Sequence, residues 1–264
     1  MKLYLDPGHG GKDPGAQGNS LQEKHVTLDI AKRIHSILSN EYEGIQIKMS
    51  RTSDTSKCLN KRTNEANSWG ADYFVSIHCN AFNGKAKGYE DYIYSELSDS
   101  SLTSEYQNIM HEEITKLNQL SVRRKKKANF HVLRETKMAA FLSENGFIDN
   151  DNDANFMKQA SWRQKVARGH VNGIARAFHL KKKDEINPIT LYMVIVGSFD
   201  SKENADTRVS KLQEKGIKAF VEPIMISNKH WYRVQAGAFY YKENAEAQVD
   251  RLENAGFKAF IWKA

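Results

Sequence analysis

The stretch "LYLDPGHGGKDPGAQGNSLQEKH", Leu3 to His25, sets the fold. A strand-like run, Lys2–Leu5, stops at Asp6-Pro7-Gly8 and delivers His9 into a glycine-rich loop. Gly8, Gly10 and Gly11 let backbone and substrate come close around that histidine. A helix then begins at Glu23 and runs to Leu38, with Val26, Ile30, Ile34 and Ile37 or Leu38 on one stripe. Strand, glycine loop and helix form the opening of an α/β unit.

The alternation continues. Strands are expected at Ile45–Ser50, Asp72–His78, Gly88–Tyr94, Phe130–Leu133 and Ala139–Glu144, and helices at Leu59–Trp69, Ser101–Gln119 and Ser161–Phe178. Residues 1–180 therefore read as an α/β layer fold, a mainly parallel sheet flanked by helices. "KKKDEINP" (Lys181–Pro188) is charged, lacks apolar periodicity and ends in Asn-Pro, so it reads as a linker. "RRKKK" (Arg123–Lys127) reads first as a solvated loop, with contact to an anionic substrate as the lesser reading.

Residues 189–264 hold an internal repeat. "YMVIVGSFDSKENADTRVSKLQEKGIKAFV" (192–221) matches "YRVQAGAFYYKENAEAQVDRLENAGFKAFI" (232–261) without gaps at an offset of 40. Each copy reads strand, helix, strand, with Ala205, Val209 and Leu212, or Ala245, Val249 and Leu252, on the helix stripe. Gly216 and Gly256 stop the helices. One copy is too small to bury a core. Two side by side give a four-stranded sheet with two helices on one face, a small ferredoxin-like α+β domain. Alternation along the strands puts Tyr192, Val194, Val196, Tyr232, Val234 and Ala236 on one face, and Met193, Ile195, Arg233 and Gln235 on the other, open one.

The 264 residues carry a net charge of +7, +5 before residue 187 and +2 after it. This suits a polyanionic partner, whether nucleic acid, an acidic membrane or an anionic cell wall, and nucleic acid is the weaker reading because no recognition motif is present. The apolar runs, such as Tyr73–Ile77 and Met138–Leu142, fall well short of the ~20 residues of a membrane span. Met1–Leu5 is too short for the apolar core of a signal peptide. The expectation is synthesis in the cytoplasm and arrival at the wall by release on lysis or non-classical export. The two cysteines, Cys58 and Cys79, are expected to stay reduced, Cys79 as a packing residue.

A hydrolytic zinc site needs three protein ligands and an open position. No His-Glu-x-x-His occurs, and most of the nine histidines read as surface or core residues. His9 and His78 differ, since each follows a strand-like run. Glu23 heads a helix, and Glu144 ends the strand "AAFLSE". In open α/β sheets sites form beyond the carboxyl ends of strands, so two imidazoles and two carboxylates could converge there. On spacing alone His25 could stand in for Glu23.

The segments "DPGHGGKDPGA", "LQEKHVTLDIA", "SRTSD", "KRTNEAN", "ADYFVSIHCNA" and "NFHVLRETKMAAFLSENGFIDN" together resemble the zinc-dependent N-acetylmuramoyl-L-alanine amidases of the amidase-3 family, over roughly residues 1–180. The tail, with "VIVGSF" and "VQAGAF", resembles a SPOR domain, a cell-wall-binding module. The whole layout is most similar to sporulation-specific amidases of bacilli that lyse the mother-cell wall. The resemblance implies Zn²⁺ held by His9, Glu23 and His78, with Glu144 as catalytic base. It implies hydrolysis of the amide between N-acetylmuramic acid and L-alanine of the peptidoglycan stem peptide. It also implies that the tail binds glycan strands stripped of peptides, for which Ile195, Arg233 and Gln235 are the candidate contacts. Ala139 stands where the family often has Pro, and Ser143 where it has Val; Ser143 alters packing behind Glu144 without removing a reacting group. The rival readings are a phage endolysin with the same chemistry and a non-catalytic wall-binding protein.

Overall fold

The computed structural model describes residues 1–183, 191–227, 229–240 and 242–263. The chain divides into two units, Met1–Lys183 and Asp184–Ala264. Residues 184–188 of the expected linker lie outside the described residues.

In the first unit the elements follow in the order β1 (Lys2–Pro7), β2 (Gln17–Gly18), β3 (Leu21–Gln22), α1 (Glu23–Glu41), β4 (Gln46–Met49), α2 (Leu59–Trp69), β5 (Tyr73–Asn80) and β6 (Tyr89–Tyr94). They continue with α3 (Leu102–Thr115), β7 (Val122–Ala128), α4 (His131–Arg134), β8 (Ala139–Phe147), α5 (Asp151–Lys158) and α6 (Ala160–Ala177). Six strands form one sheet in the order β4-β1-β5-β8-β6-β7. All neighbours are parallel except β6 and β8. This is the mainly parallel sheet the alternating pattern predicts.

Strand alternation decides which layer each residue joins. Leu3, Leu5, Tyr73, Val75, Ile77 and Cys79 face one way and pack with Ile30 and Ile34 of α1, Met110 and Ile114 of α3, and Val166, Val171 and Ile174 of α6. Tyr4, Phe74, Ala140 and Leu142 face the other way and pack with Ala66 of α2 and with Val132 and Leu133. Both cysteines are free, and Cys79 is buried in the first layer as expected. Among the described residues no helix is long and apolar enough to cross a membrane.

Two local expectations are corrected. Phe130–Leu133 is not a strand: Phe130 caps the short helix α4, which buries Val132 and Leu133 against the second layer. The basic run is not a loop but β7, an edge strand that among the described residues pairs with β6 alone. Its cations do not oppose strand formation because carboxylates meet them. Arg123 and Lys126 both reach Glu90, and Lys127 reaches Asp99. Lysines along an edge also discourage pairing with another chain.

The second unit contains β9 (Tyr192–Phe199), α7 (Lys202–Glu214), β10 (Phe220–Ile226), β11 (Lys229–Phe239), α8 (Lys242–Asn254) and β12 (Phe260–Lys263). The sheet is antiparallel, in the order β10-β11-β9-β12. The predicted stripes Ala205/Leu212 and Ala245/Leu252 are buried against Val194, Val196, Val234 and Ala236. Gly216 and Gly256 end their helices at positive φ.

The open face needs a correction at the residue level. Ile195 is fully buried and Gln235 is 6% exposed. In register they lie between Phe220 and Phe260, and the Arg233 guanidinium stacks 4.4 Å from the Trp262 ring. Long side chains of the outer strands thus take the solvent that the two central residues would have met. The exposed groups there are Phe220, Phe260 and Trp262, beside the half-buried Arg233.

Behind β8 lies a polar contact that Ser143 makes possible. The Nε2 of fully buried His170 on α6 is 2.9 Å from the Ser143 Oγ, and its Nδ1 is 2.9 Å from the Val166 carbonyl. Burial pushes the imidazole down to about 4 from its usual 6.5. A depressed folded-state value means that stability is complete above pH 6.5 and falls as pH drops towards 4, by on the order of 3 kcal/mol. Urea unfolding of wild type and His170→Gln between pH 7 and pH 4 should show a steeper loss for the wild type.

Candidate active site

The parallel register brings the carboxyl ends of β1, β5 and β8 side by side. Pro7 lies opposite Ile77, and His78 opposite Glu144. Beyond β1 the chain turns through His9, which holds a left-handed backbone with φ 60°. Such a conformation is costly for a non-glycine residue and is kept only where its surroundings fix it. Here two arginines fix it. Arg51 is bonded to the carbonyls of Pro7 and Gly8 at 3.1 and 2.8 Å. Arg62 is bonded to those of Pro7 and His9 at 2.9 and 2.7 Å. Both are buried, and Asp6 neutralises Arg62 at 2.6 Å. Burial alone would raise the Asp6 carboxyl, but the guanidinium outweighs it and holds the group below its ordinary value.

Glu23 opens α1 with its backbone N–H on the Ala16 carbonyl and its carboxylate turned inward. Oε2 is 3.0 Å from His9 Nε2, and Oε1 is 2.8 Å from His78 Nδ1. The backbone N–H groups of Ala16 and Cys79 donate to the same two oxygens. Although burial opposes its charge, the hydrogen bonds and the two imidazoles keep this carboxyl well below the usual range. Burial would likewise lower the His9 imidazole, but its bonds to Glu23 and Asp13 raise it. Asp13 reaches the other ring nitrogen of His9, Nδ1, at 2.8 Å, and its second oxygen accepts the Gly15 N–H.

His9, Glu23 and His78 thus offer three ligand atoms within 4.8 Å of one another. Two neutral nitrogens and one carboxylate oxygen, with a carboxylate behind one imidazole, suit a catalytic zinc ion and leave a coordination position open. His25 is outside this set; it is largely exposed and lies 3.6 Å from Asp54. Glu144 lies on β8 in register with His78, before the strand ends at Phe147, and its Oε2 is shielded from solvent with no hydrogen-bond partner. Burial, reinforced by the charges of Glu23 and Glu90, raises its carboxyl well above the ordinary value; Lys126 acts the other way. An unpaired carboxylate oxygen next to a second acid is the environment a bound cation relieves. A cavity of about 380 Å³ opens between His9, His78 and the start of α2 at Lys57, Cys58 and Leu59.

Two glycines are required by proximity to these ligands. A Cβ on Gly8 would lie 2.3 Å from the His78 ring, and one on Gly15 would lie 2.5 Å from Glu23 Oε2 and 2.6 Å from the His9 ring. The sequence reading recognised Gly8 but passed over Gly15, Asp13, Arg51 and Arg62. Their only signal is position: Asp13 and Gly15 belong to the same loop as His9, whereas the two arginines reach it from elsewhere in the chain.

A mainly parallel sheet with His9, Glu23 and His78 gathered beyond its strand ends has the layout of an α/β enzyme domain. Comparison with known proteins makes it specific: residues 3–176 match the N-acetylmuramoyl-L-alanine amidase family and residues 188–263 match the SPOR domain. The chain belongs to the N-acetylmuramoyl-L-alanine amidase family and is a peptidoglycan hydrolase. It is 51% identical to N-acetylmuramoyl-L-alanine amidase CwlM of Bacillus licheniformis and 50% identical to the sporulation-specific N-acetylmuramoyl-L-alanine amidase of Bacillus subtilis, each over 84% of both chains. An endolysin of Bacillus phage SPP1 is 44% identical over 69% of this chain and 67% of its own. The solved catalytic domain of CwlV, an N-acetylmuramoyl-L-alanine amidase of Bacillus (Paenibacillus) polymyxa, superposes with a TM-score of 0.64 at 32% identity, covering 68% of this chain and 99% of that one.

Replacing Gly15 with alanine should push the new methyl into Glu23 and His9 at a position already at φ 68°. The expected outcome is a loss of amidase turnover of about tenfold or more, with the far-UV circular dichroism unchanged.

Proposed function

We propose that the amidase is zinc-dependent, with His9, Glu23 and His78 as ligands and Glu144 as the general base. The observation that carries this reading is the convergence of three ligand atoms beside one unligated, unpartnered carboxylate. When bound, zinc supplies Lewis-acid activation of water and stabilises negative charge on the substrate oxygen. Glu144 accepts the proton of the attacking water as its oxygen adds to the lactyl carbonyl carbon, then returns that proton to the alanine nitrogen as the C–N bond breaks. Glu23 cannot share this task, because both its oxygens are engaged by imidazoles and backbone N–H groups. Asp13 holds the His9 ring so that Nε2 faces the ligand cluster.

The biological setting we propose is wall lysis during sporulation. Support comes from the Bacillus subtilis relative named sporulation-specific, which aligns over 84% of this chain; the phage endolysin aligns over 69%. We further propose that residues 189–264 bind peptide-free glycan through the open face of their sheet. Arg233 stacked on Trp262, with Trp231 on the same strand face as Arg233, offers cation and aromatic surface for sugar rings.

Glu144→Gln should retain stoichiometric zinc by metal analysis while amide cleavage, followed by mass spectrometry of released free-amino alanine, falls by about 10²–10⁴. Glu23→Gln should lose the metal as well. Full turnover by Glu144→Gln would overturn the base assignment. For the second unit, Trp262→Ala should weaken co-sedimentation of the full-length chain with peptide-free glycan while leaving its thermal unfolding temperature nearly unchanged.

A further inference from the structure

The sheet face that carries His78 and Glu144 continues past them in one row. His78 on β5, Glu144 on β8 and Glu90 on β6 lie in register, and residues in register share a face. β7 follows, and from it Arg123 and Lys126 both turn to meet Glu90. The other cations of the basic run go elsewhere. Lys125 bonds Asn108, Lys127 pairs with Asp99, and Arg124 is exposed. Across four strands the row therefore reads imidazole, acid, acid, cation pair.

Glu90 is 2% exposed, and both its oxygens are fully engaged. Oε1 accepts from Asn80 Nδ2 at 3.0 Å and from the Tyr92 hydroxyl at 2.6 Å. Oε2 accepts from Arg123 Nε at 2.5 Å and from Lys126 Nζ at 2.8 Å. Neutralising this acid takes one cation, so the second leaves a surplus positive charge beside Glu144. Donors are left over as well. Arg123 gives Nη1 to the Lys87 carbonyl at 3.3 Å, and its Nη2 makes no hydrogen bond among the described residues. Lys126 has three N–H groups for two acceptors, Glu90 and, at 3.4 Å, Tyr92. Both side chains remain partly open to solvent. The Tyr92 ring lies 5.1 Å from that of exposed Phe130, which gives the row an apolar border.

We infer that Arg123 and Lys126 form a subsite for a carboxylate of the stem peptide, one residue beyond the alanine. The inference rests on the reading of Glu144 as base at the reacting amide. Spacing supports it. Neighbouring strands lie about 4.8 Å apart, so β6 and β7 stand about 5 and 10 Å from β8. An extended peptide advances about 3.5 Å per residue, which carries a group on the residue after alanine about 7 Å from the amide nitrogen. In the stem peptide that residue is a glutamate continued through its side chain, so its main-chain carboxylate is free. Arg123 Nη2 and the spare Lys126 N–H donate to it, while Glu90 holds both cations in place. The cavity at Lys57, Cys58 and Leu59 lies towards β1, on the opposite side of the ligand cluster. The two directions across the sheet thus separate sugar from peptide, and the subsite makes cleavage sensitive to whether the stem is amidated.

The test uses the full-length chain and uncross-linked glycan strands with tripeptide stems. The strands differ only in whether the second residue's main-chain carboxyl is free or a carboxamide. The wild type should cleave the free-acid strands with a kcat/KM about tenfold higher. In Arg123→Gln/Lys126→Gln the KM for the free-acid strands should rise about tenfold with kcat held within about twofold, and cleavage of the amidated strands should barely change. Arg124→Gln/Lys125→Gln removes the same charge from the same strand and should keep the preference, as should the charge-conserving Arg123→Lys/Lys126→Arg. Should the first double variant unfold, Lys126→Gln, which leaves Arg123 on Glu90, takes its place. Equal cleavage of both strands by the wild type overturns the subsite and leaves Glu144 untouched. A preference that survives in a folded Arg123→Gln/Lys126→Gln overturns the residue assignment. Equal loss on both strands in that folded variant also overturns it, because the cations then serve Glu144 and not the substrate. Full turnover by Glu144→Gln moves the reacting centre elsewhere and overturns both readings.

Discussion

The catalytic unit depends on one buried carboxylate. Glu23 belongs to α1, yet its two oxygens contact His9 beyond β1 and His78 on β5, with backbone donors from Ala16 and Cys79 completing the arrangement. An ionised carboxylate this deeply buried is tolerated only when every lone pair is met. The four partners meet that demand and at the same time fix the helix, the glycine loop and the strand relative to one another. The geometry that suits a metal ion is thus also the geometry that makes the acid tolerable in its absence. Arg51 and Arg62 play the complementary part from below, donating to the inward-facing carbonyls of the Pro7–His9 turn.

Much of this was legible in the chain itself. The stripe from Val26 to Leu38 and the alternation in Tyr73–Cys79 follow directly from two-layer packing, so the elements and their buried faces were predictable from periodicity. His9, Glu23, His78 and Glu144 stood out because in the sequence each ends or follows a strand-like run or starts a helix. Periodicity alone could not choose between Glu23 and His25. The helix phase makes that choice: Glu23 faces the sheet, whereas His25 is turned towards Asp54 and solvent. The arginines were not legible, since a buried guanidinium and a solvated one look alike until the carbonyls it meets are placed by the fold.

The errors share a cause. Five consecutive cations looked incompatible with a strand, but strand formation there is decided by what stands opposite: Glu90 accepts from Arg123, Lys126, Tyr92 and Asn80 together. Phe130–Leu133 looked like a strand because it is short and apolar, and the sheet position it would have filled belongs to the preceding segment. On the open face of the second unit, alternation correctly separated Ile195 and Gln235 from the helix-facing residues. It could not reveal that aromatic side chains two strands apart would close over them. For the basic run and for the open face the deciding partners lie far away in sequence.

The β7 edge carries a consequence beyond its own stability. A parallel sheet of this kind ends in a row of unsatisfied main-chain groups, and growth by a seventh strand is the ordinary hazard. Gln107 already claims the Lys126 carbonyl at 3.0 Å, and exposed Arg124 and Lys125 stand along the same rim. A second copy approaching edge to edge would press like charges together before a single ladder bond formed. The rim therefore works as a self-repelling border: the same substitutions that would make this strand look more ordinary, lysine to threonine or valine, would turn the sheet into a template for its own kind.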